Sequence, residues 1–212
     1  MARPAVGGAK RLLGIDRSGG PPPETQKGQP LRPWTVPNAI SYVRLALLPV
    51  FLVVAFDSGD GRGVDVALLY WLIAIGDQLD GLAARITGQY SRLGALLDPL
   101  TDRALVIAGV AVCWHFELLP RWALAVLIAR EVVMLVLTQF ALRHGMDLNI
   151  NMVGRWAVWP VMFAIFLTLL TESWVAEASL YLGLVLTIWA TAIYLADGWR
   201  FLQGRDRPST ST

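Results

Sequence analysis

The chain has few charged residues and a single cysteine. Asp, Glu, Lys and Arg make up 16% of its 212 residues, whereas a soluble domain usually carries about 25%. This shortage argues against an ordinary cytosolic enzyme. Cys113 has no second cysteine to pair with, which excludes an intramolecular disulfide framework. The net charge of +2 is too small to indicate a nucleic-acid-binding protein, so no nucleic-acid partner is expected.

Apolar residues, by contrast, make up 55% of the chain and include nine Trp. They form six runs, each close to the roughly 20 residues needed to cross a hydrocarbon core. The fold class predicted is therefore all-α, a polytopic membrane protein with six transmembrane helices. Asn38, directly after Pro37, is the predicted N-cap of the first helix. The predicted spans cover residues 38–56, 64–83, 96–116, 120–142, 153–171 and 178–200.

The ends of the chain differ in composition from the spans. Residues 1–33 are rich in Gly, Pro and basic residues and have almost no periodic apolar pattern, which predicts a disordered basic tail. This tail lacks the features of a cleaved secretory signal, so we expect it to be retained. The predicted organisation is a tail at 1–33, a membrane domain at 34–203 and a second tail at 204–212.

Positive charge is distributed unevenly about the predicted spans. If the N-terminus is cytosolic, thirteen of the 18 Lys and Arg residues lie on the inner side, and only Arg62 and Arg121 lie outside. Arg44, Arg103 and Arg130 fall within spans, near their cytosolic ends. The positive-inside rule then predicts that both termini lie in the cytosol. The membrane expected is the plasma (inner) membrane.

Four aspartates lie near the connection between the second and third spans. Asp77 and Asp80 are three residues apart, and Asp98 and Asp102 are four apart, so each pair shares one helix face. Two antiparallel helices with a short connection can bring the two faces together. We therefore expect the four carboxylates to converge at the cytosolic boundary of the membrane.

Four such charges need compensation close to an apolar medium. An all-oxygen cluster suits Mg²⁺ or Mn²⁺, whereas Zn²⁺ would favour Cys or His ligands that this segment lacks. Two ions about 4 Å apart would polarise a phosphoryl group and stabilise its leaving oxygen. Gly81, Ala84 and Gly94 would allow close approach of a headgroup, and the planar fork of Arg85 can bind phosphate.

The spacing of these residues resembles the signature of the CDP-alcohol phosphatidyltransferases, D-x2-D-G-x2-A-R-x8-G-x3-D-x3-D. Every fixed position is matched, by Asp77, Asp80, Gly81, Ala84, Arg85, Gly94, Asp98 and Asp102. The six spans, and the position of the motif across spans two and three, extend the resemblance over about residues 38–200.

The resemblance implies an enzyme that transfers the phosphatidyl group of CDP-diacylglycerol to an alcohol and releases CMP. It implies two divalent cations, Mg²⁺ or Mn²⁺, held by Asp77, Asp80, Asp98 and Asp102, with Asp102 also taking the proton of the acceptor hydroxyl. Gly81, Ala84, Arg85 and Gly94 would form the CDP-diacylglycerol site. A homodimer is also implied.

The acceptor alcohol is less strongly indicated. Typical phosphatidylglycerophosphate synthases have Gly-Lys-x-Lys-Thr after the fourth span, whereas this chain has Gly154-Arg155-Trp156-Ala157-Val158, with one cation. The phosphomonoester of glycerol 3-phosphate carries nearly two charges, but the phosphodiester of phosphatidylglycerol carries one and needs fewer cations. Residues 127–131 and 142–145 also resemble CMP-forming cardiolipin synthases of actinobacterial type. Cardiolipin synthesis is the favoured interpretation, with phosphatidylglycerophosphate synthesis as the alternative.

Arg130 and Arg155 are the candidate contacts for the acceptor phosphate. Arg130 and Glu131 are adjacent in sequence and are not expected to pair with each other. Arg44 is expected to extend toward the membrane interface. Intramembrane Asp residues also occur in ion pathways, so a cation transporter is a remote alternative, as is a membrane prenyltransferase.

Overall fold

The computed structural model describes residues 32–143 and 152–205, which form six α-helices. Each predicted apolar run corresponds to one of them. The helices are α1 (Val36–Asp57), α2 (Val64–Thr87), α3 (Arg92–His115), α4 (Arg121–Arg143), α5 (Met152–Leu170) and α6 (Trp174–Arg205). The all-helical class is therefore confirmed for the described residues. The tail segments 1–31 and 206–212 lie outside them.

Among the residues that the structure describes, three helical stretches are long and apolar enough to cross a membrane: α1, α2 and the Trp174–Ala196 part of α6. The Ala157–Leu170 part of α5 is apolar as well. Asp98, Asp102 and Arg103 lie within α3, which lowers its apolar character. The structure thus supports three membrane-spanning helices, while six crossings remain a prediction.

The outward faces of the helices are also apolar. Val53, Leu72, Ile107, Val136 and Val185 are each more than half exposed. A soluble protein rarely exposes apolar residues over so many helices. Together with the helix lengths, these faces indicate a membrane protein.

The first helix begins three residues earlier than the sequence indicated. Thr35 has extended backbone angles, and its side chain accepts a hydrogen bond from the Asn38 backbone N–H at 3.3 Å. Thr35 is therefore the N-cap, and Pro37 occupies the first helical turn, where its missing N–H costs nothing. The prediction of Asn38 as N-cap was wrong, because Asn38 lies within the helix and its side chain is fully buried.

The chain divides into two compact units, with the boundary inside α3 between Gly109 and Val110. In the first unit, α1 packs along α2. Phe51 and Tyr70 are buried between these two helices, with ring centroids 5.5 Å apart. The α1 residues that face this core recur at helical spacing: Asn38, Ser41, Arg44, Leu48, Phe51 and Ala55.

In the second unit, α6 packs against both α4 and α5. Trp122 of α4 stacks on Tyr181 of α6, with centroids 5.6 Å apart. A Cβ built on Gly183 would lie 2.6 Å from a methyl group of Val161 and 2.9 Å from its backbone nitrogen, so glycine allows α5 and α6 to approach closely. Residues 61–63 belong to this unit, and Gly63 donates a hydrogen bond to the Leu169 carbonyl at 2.9 Å.

Candidate active site

The four predicted aspartates lie where the sequence placed them, two on α2 and two on α3. All four belong to the first compact unit. Two polar side chains of α1, Ser41 and Arg44, contact them and bring the α2 and α3 pairs together. We call Asp77, Asp80, Asp98 and Asp102 the carboxylate cluster.

Arg44 lies at the centre of three of these carboxylates. Its Nη1 is 2.9 Å from Asp80 Oδ2 and 3.5 Å from Asp77 Oδ1, and its Nη2 is 2.7 Å from Asp102 Oδ1. The Arg44 side chain is only 2% exposed. The prediction that it extends to the membrane interface was wrong, because its charge is satisfied inside the protein by residues distant in sequence.

The fourth carboxylate is joined through Ser41. The Ser41 Oγ is 3.2 Å from Asp98 Oδ1 and 3.4 Å from Asp80 Oδ2, within hydrogen-bond distance of both. Ser41 and Arg44 are three residues apart and therefore share one face of α1. Their role was not predicted, although two polar residues at helical spacing in an otherwise apolar span are a signal that points to a buried site.

A glycine on α2 makes room for the arginine. A Cβ built on Gly76 would lie 2.6 Å from Cδ and 2.7 Å from Cγ of Arg44, closer than real side chains approach. The Arg44 Nε also donates a hydrogen bond to the Ile73 carbonyl at 2.9 Å. The guanidinium is therefore held in place by the backbone of α2 as well as by the carboxylates.

The cluster is partly accessible at the protein surface. The side chain of Asp80 is 4% exposed, but those of Asp77 and Asp102 are 31% and 39% exposed. Carboxylate oxygens are the donors that Mg²⁺ and Mn²⁺ prefer. Within residues 32–143 and 152–205, no group of three or more Asp, Glu, His or Cys is arranged to hold a metal ion. The carboxylate oxygens of the cluster are suitable ligands for Mg²⁺ or Mn²⁺. The cation that contacts three of these carboxylates in the structure is Arg44.

The predicted CDP-diacylglycerol residues extend along α2 from the cluster. A Cβ on Gly81 would lie 3.7 Å from Nη1 of Arg85, so the guanidinium lies beside the glycine backbone. Arg85 Nε is buried and has no hydrogen-bond partner among the described residues. Ala84 is half-buried on the same helix.

Gly94 has a packing role in the structure. A Cβ at this position would lie 2.7 Å from Oδ1 of Asn38, so the Asn38 side chain fills the space in front of the glycine. Ser91 Oγ donates to Asn38 Oδ1 and accepts from the Gly94 N–H, both at 2.9 Å. Asn38 Nδ2 donates to the carbonyls of Arg32 and Pro33 at 3.0 and 3.1 Å. This network fixes the start of α3 against the start of α1, and a role for Gly94 in substrate binding stays a prediction.

The two predicted acceptor contacts belong to the second unit. Arg130 Nε donates to Thr191 Oγ1 at 3.2 Å, and its Nη1 forms an ion pair with Glu131. The prediction that these neighbours do not pair was wrong, because the long Arg130 side chain reaches back to Glu131. The backbone of Arg155 lies in α5, but its side chain is outside the described part of the structure.

Comparison of the sequence with known proteins identifies the family of this chain. The sequence profile of the CDP-alcohol phosphatidyltransferases matches residues 34–189. The chain is 35% identical over 192 residues to "Cardiolipin synthase (CMP-forming)" of Streptomyces coelicolor, covering 86% of this chain and 89% of that protein.

Two further relatives share another name, "CDP-diacylglycerol–glycerol-3-phosphate 3-phosphatidyltransferase". The Bacillus subtilis protein is 26% identical over 181 residues, covering 79% of this chain and 93% of its own. The Salmonella typhimurium protein is 30% identical over 174 residues, covering 77% of this chain and 94% of its own.

The chain belongs to the CDP-alcohol phosphatidyltransferase family. It is accordingly a membrane transferase of phospholipid biosynthesis, in a family that generally uses divalent metal ions. Family membership favours this enzyme class over the transporter and prenyltransferase alternatives.

Proposed function

We propose that the chain transfers the phosphatidyl group of CDP-diacylglycerol to phosphatidylglycerol, giving cardiolipin and CMP, at the carboxylate cluster. The observation that carries this proposal is the convergence of all four motif aspartates on Ser41 and Arg44 of α1. A phosphoryl-transfer site needs concentrated oxygen ligands that are open to substrate on one side. The partial exposure of Asp77 and Asp102 meets that need.

Asp102 is the proposed base for the acceptor hydroxyl. Its Oδ1 accepts a hydrogen bond from Arg44, which holds the carboxylate, and Oδ2 is the proposed acceptor of the proton. The acceptor oxygen bonds to the phosphorus that carries diacylglycerol, and the bond from that phosphorus to the bridging oxygen breaks. CMP leaves with the bridging oxygen, and the hydroxyl proton passes to Asp102. Two divalent cations bound by the four aspartates would stabilise charge on the departing CMP.

Arg85 is the proposed contact for the diphosphate of CDP-diacylglycerol. Its guanidinium lies beside Gly81, and its buried Nε has no partner among the described residues. A planar guanidinium with uncommitted donors is suited to bind phosphate oxygens in a bidentate manner. Gly81 and Ala84 would leave space for the nucleotide next to it.

The proposed acceptor is phosphatidylglycerol, with Arg130 and Arg155 as the contacts for its phosphate. The segment 154–158 offers one cation, which suits a phosphodiester with one charge. The Streptomyces coelicolor relative, named as a cardiolipin synthase, supports this choice. The names of the Bacillus subtilis and Salmonella typhimurium relatives favour the second candidate, glycerol 3-phosphate, giving phosphatidylglycerophosphate.

One assay separates the two acceptors. Purified protein in detergent receives labelled CDP-diacylglycerol, Mg²⁺ or Mn²⁺, and either phosphatidylglycerol or glycerol 3-phosphate, and the lipid product is identified by mass spectrometry. We expect cardiolipin and CMP in the first mixture. Product in the glycerol 3-phosphate mixture alone would establish the alternative, and CMP release in neither mixture would contradict the proposed reaction itself.

We further propose six membrane crossings, both termini in the cytosol, the carboxylate cluster at the cytosolic face of the plasma membrane, and a homodimer. The uneven distribution of Lys and Arg supports this orientation. Gln89 follows α2 and Glu172 precedes α6, and both are exposed. In intact cells, a membrane-impermeant thiol reagent should label Glu172→Cys and leave Gln89→Cys unlabelled until the membrane is permeabilised. The reverse labelling pattern would contradict the proposed orientation. The homodimer is tested separately, by measuring the mass of the detergent-solubilised protein.

A further inference from the structure

Arg44 is a buried cation whose only part in the reaction proposed above is to hold the carboxylate of Asp102. Its side chain is 2% exposed, and it lies in α1, one of the membrane-crossing helices. Charged groups in such helices are costly unless they are paired, and they mark functional sites. The pairing here is unusual in extent, because one guanidinium contacts three carboxylates of two other helices.

We propose that Arg44 is a positioning residue whose guanidinium acts as a fixed counter-ion, keeping Asp77, Asp80 and Asp102 assembled while metal ions are absent. This inference rests on the proposed function, because it takes the carboxylate cluster to be the metal site. Three carboxylates gathered near an apolar medium repel one another strongly without a cation. Arg44 supplies that cation from within the chain.

The surroundings of Arg44 hold the guanidinium in one orientation. Nε is committed to the Ile73 carbonyl, Nη1 to the α2 carboxylates and Nη2 to Asp102 of α3. The stem passes over Gly76, where a Cβ would collide with it. Lysine has one flexible ammonium group and cannot make these three sets of contacts at once. The arrangement therefore requires arginine, not merely a positive charge.

The counter-ion also changes the charge balance of the loaded site. Four carboxylates carry four negative charges, which two divalent cations would neutralise. Arg44 adds one further positive charge at the same place. A small positive excess favours the anionic diphosphate of the substrate over a neutral ligand.

The first test measures thermal unfolding of the full-length protein in detergent with excess chelator. The test variant is Arg44→Met, which keeps an unbranched stem without charge. The matched control is Arg103→Met, because Arg103 adjoins Asp102 in sequence and makes no ion pair with a described carboxylate. Removing one partner of a buried ion pair should lower Tm by about 10 °C, whereas the control should change it by no more than about 2 °C. Equal Tm values for the two variants would overturn the proposal.

A double-mutant cycle assigns the effect to the carboxylates. If Arg44 acts as their counter-ion, the loss of Tm caused by Arg44→Met should be at least about 3 °C smaller in an Asp102→Asn background. Equal losses in both backgrounds would contradict the proposal that Arg44 and Asp102 stabilise each other as counter-ions. Where Arg44→Met cannot be isolated, Arg44→Lys replaces it in the cycle, and a wild-type Tm for Arg44→Lys would likewise overturn the proposal.

The final arm uses Mn²⁺ alone, monitored by electron paramagnetic resonance and by Tm. The gain in Tm from saturating Mn²⁺ should be larger in Arg44→Met than in the wild-type protein, because the ion takes over neutralisation that arginine provided. Equal gains would contradict the counter-ion role. Absence of Mn²⁺ binding to the wild-type protein would refute the proposed metal site instead, and the metal-free cycle would still decide the role of Arg44.

Discussion

Nη2 of Arg44 lies 2.7 Å from Oδ1 of Asp102, and this ion pair joins the first helix to the third across 58 residues of sequence. It connects the residue proposed as the base with a cation that the motif does not contain. The Asp102 side chain is thus held by Arg44 through one oxygen and is still 39% exposed. If Asp102 is the base, as proposed, Arg44 holds it in position independently of the acceptor.

Replacing that base should stop the reaction without unfolding the protein. We expect Asp102→Asn to reduce CMP release at least about 100-fold, since an amide cannot take the hydroxyl proton. Asn keeps an oxygen that can accept from Arg44, so extraction and size-exclusion behaviour should be unchanged. Asp65→Asn is the matched control, because it makes the same chemical change at an exposed aspartate in the first turn of α2, outside the carboxylate cluster. Near-normal activity of Asp102→Asn would rule out the base assignment.

Adding a methyl group at Gly76 should displace Arg44. The new Cβ would lie 2.6 Å from Cδ of the arginine, a conflict that costs about 1 to 3 kcal/mol in a packed interior. Gly81→Ala on the same helix is the control, because its Cβ would meet its nearest atom at 3.7 Å. Both substitutions increase helix propensity by a similar amount. Thermal unfolding should therefore show a lower Tm for Gly76→Ala only, and equal Tm values would disprove the close contact.

The network at the start of α3 should be cooperative. Ser91→Ala removes the acceptor for the Gly94 N–H and the donor to Asn38, and should cost about 1 to 2 kcal/mol. Asn38→Ala should also destabilise, since the Asn38 side chain is fully buried. Because the two side chains bond to each other, the double variant should lose less stability than the sum of the single variants. Chemical denaturation of all four proteins measures this difference, and strict additivity would argue against the network.

Removal of divalent cations should abolish turnover reversibly. We expect excess chelator to eliminate CMP release and Mg²⁺ or Mn²⁺ to restore it, because divalent ions at the carboxylate cluster would offset the charge on the departing nucleotide. Asp98→Asn should weaken Mn²⁺ binding at least about tenfold, while Asp60→Asn in the loop after α1 should leave it unchanged. Full activity in chelator would contradict a metal-dependent reaction.

The helices and the four aspartates could be predicted because they depend on local patterns. Runs of apolar residues gave all six helices, and the spacing of Asp77, Asp80, Asp98 and Asp102 placed each pair on one face. The contribution of α1 could not be predicted in the same way. A single arginine near the end of a span is equally compatible with extension to the interface, and only packing of α1 against α2 decides that Arg44 turns inward.

One local signal for α1 was nevertheless present. Asn38, Ser41 and Arg44 recur every three residues and form a polar stripe on the face that carries Leu48 and Phe51 further along. When a polar stripe continues a core-facing apolar stripe, its side chains are predicted to be buried and to contact other polar groups. The partners themselves depend on contacts between residues far apart in sequence. The pairing of Arg130 with Glu131 is not predicted by helix geometry, because adjacent positions diverge and only the length of the arginine side chain allows the contact.

The close contact between Gly76 and Arg44 limits how this part of the chain can vary through evolution. Any side chain at position 76 would occupy the path of the arginine stem, and a shorter residue at position 44 would leave that path empty. Substitution at one position should therefore be accompanied by substitution at the other. Relatives that retain the arginine are expected to retain the glycine, and relatives with a bulkier residue at position 76 must balance their acidic groups by other means.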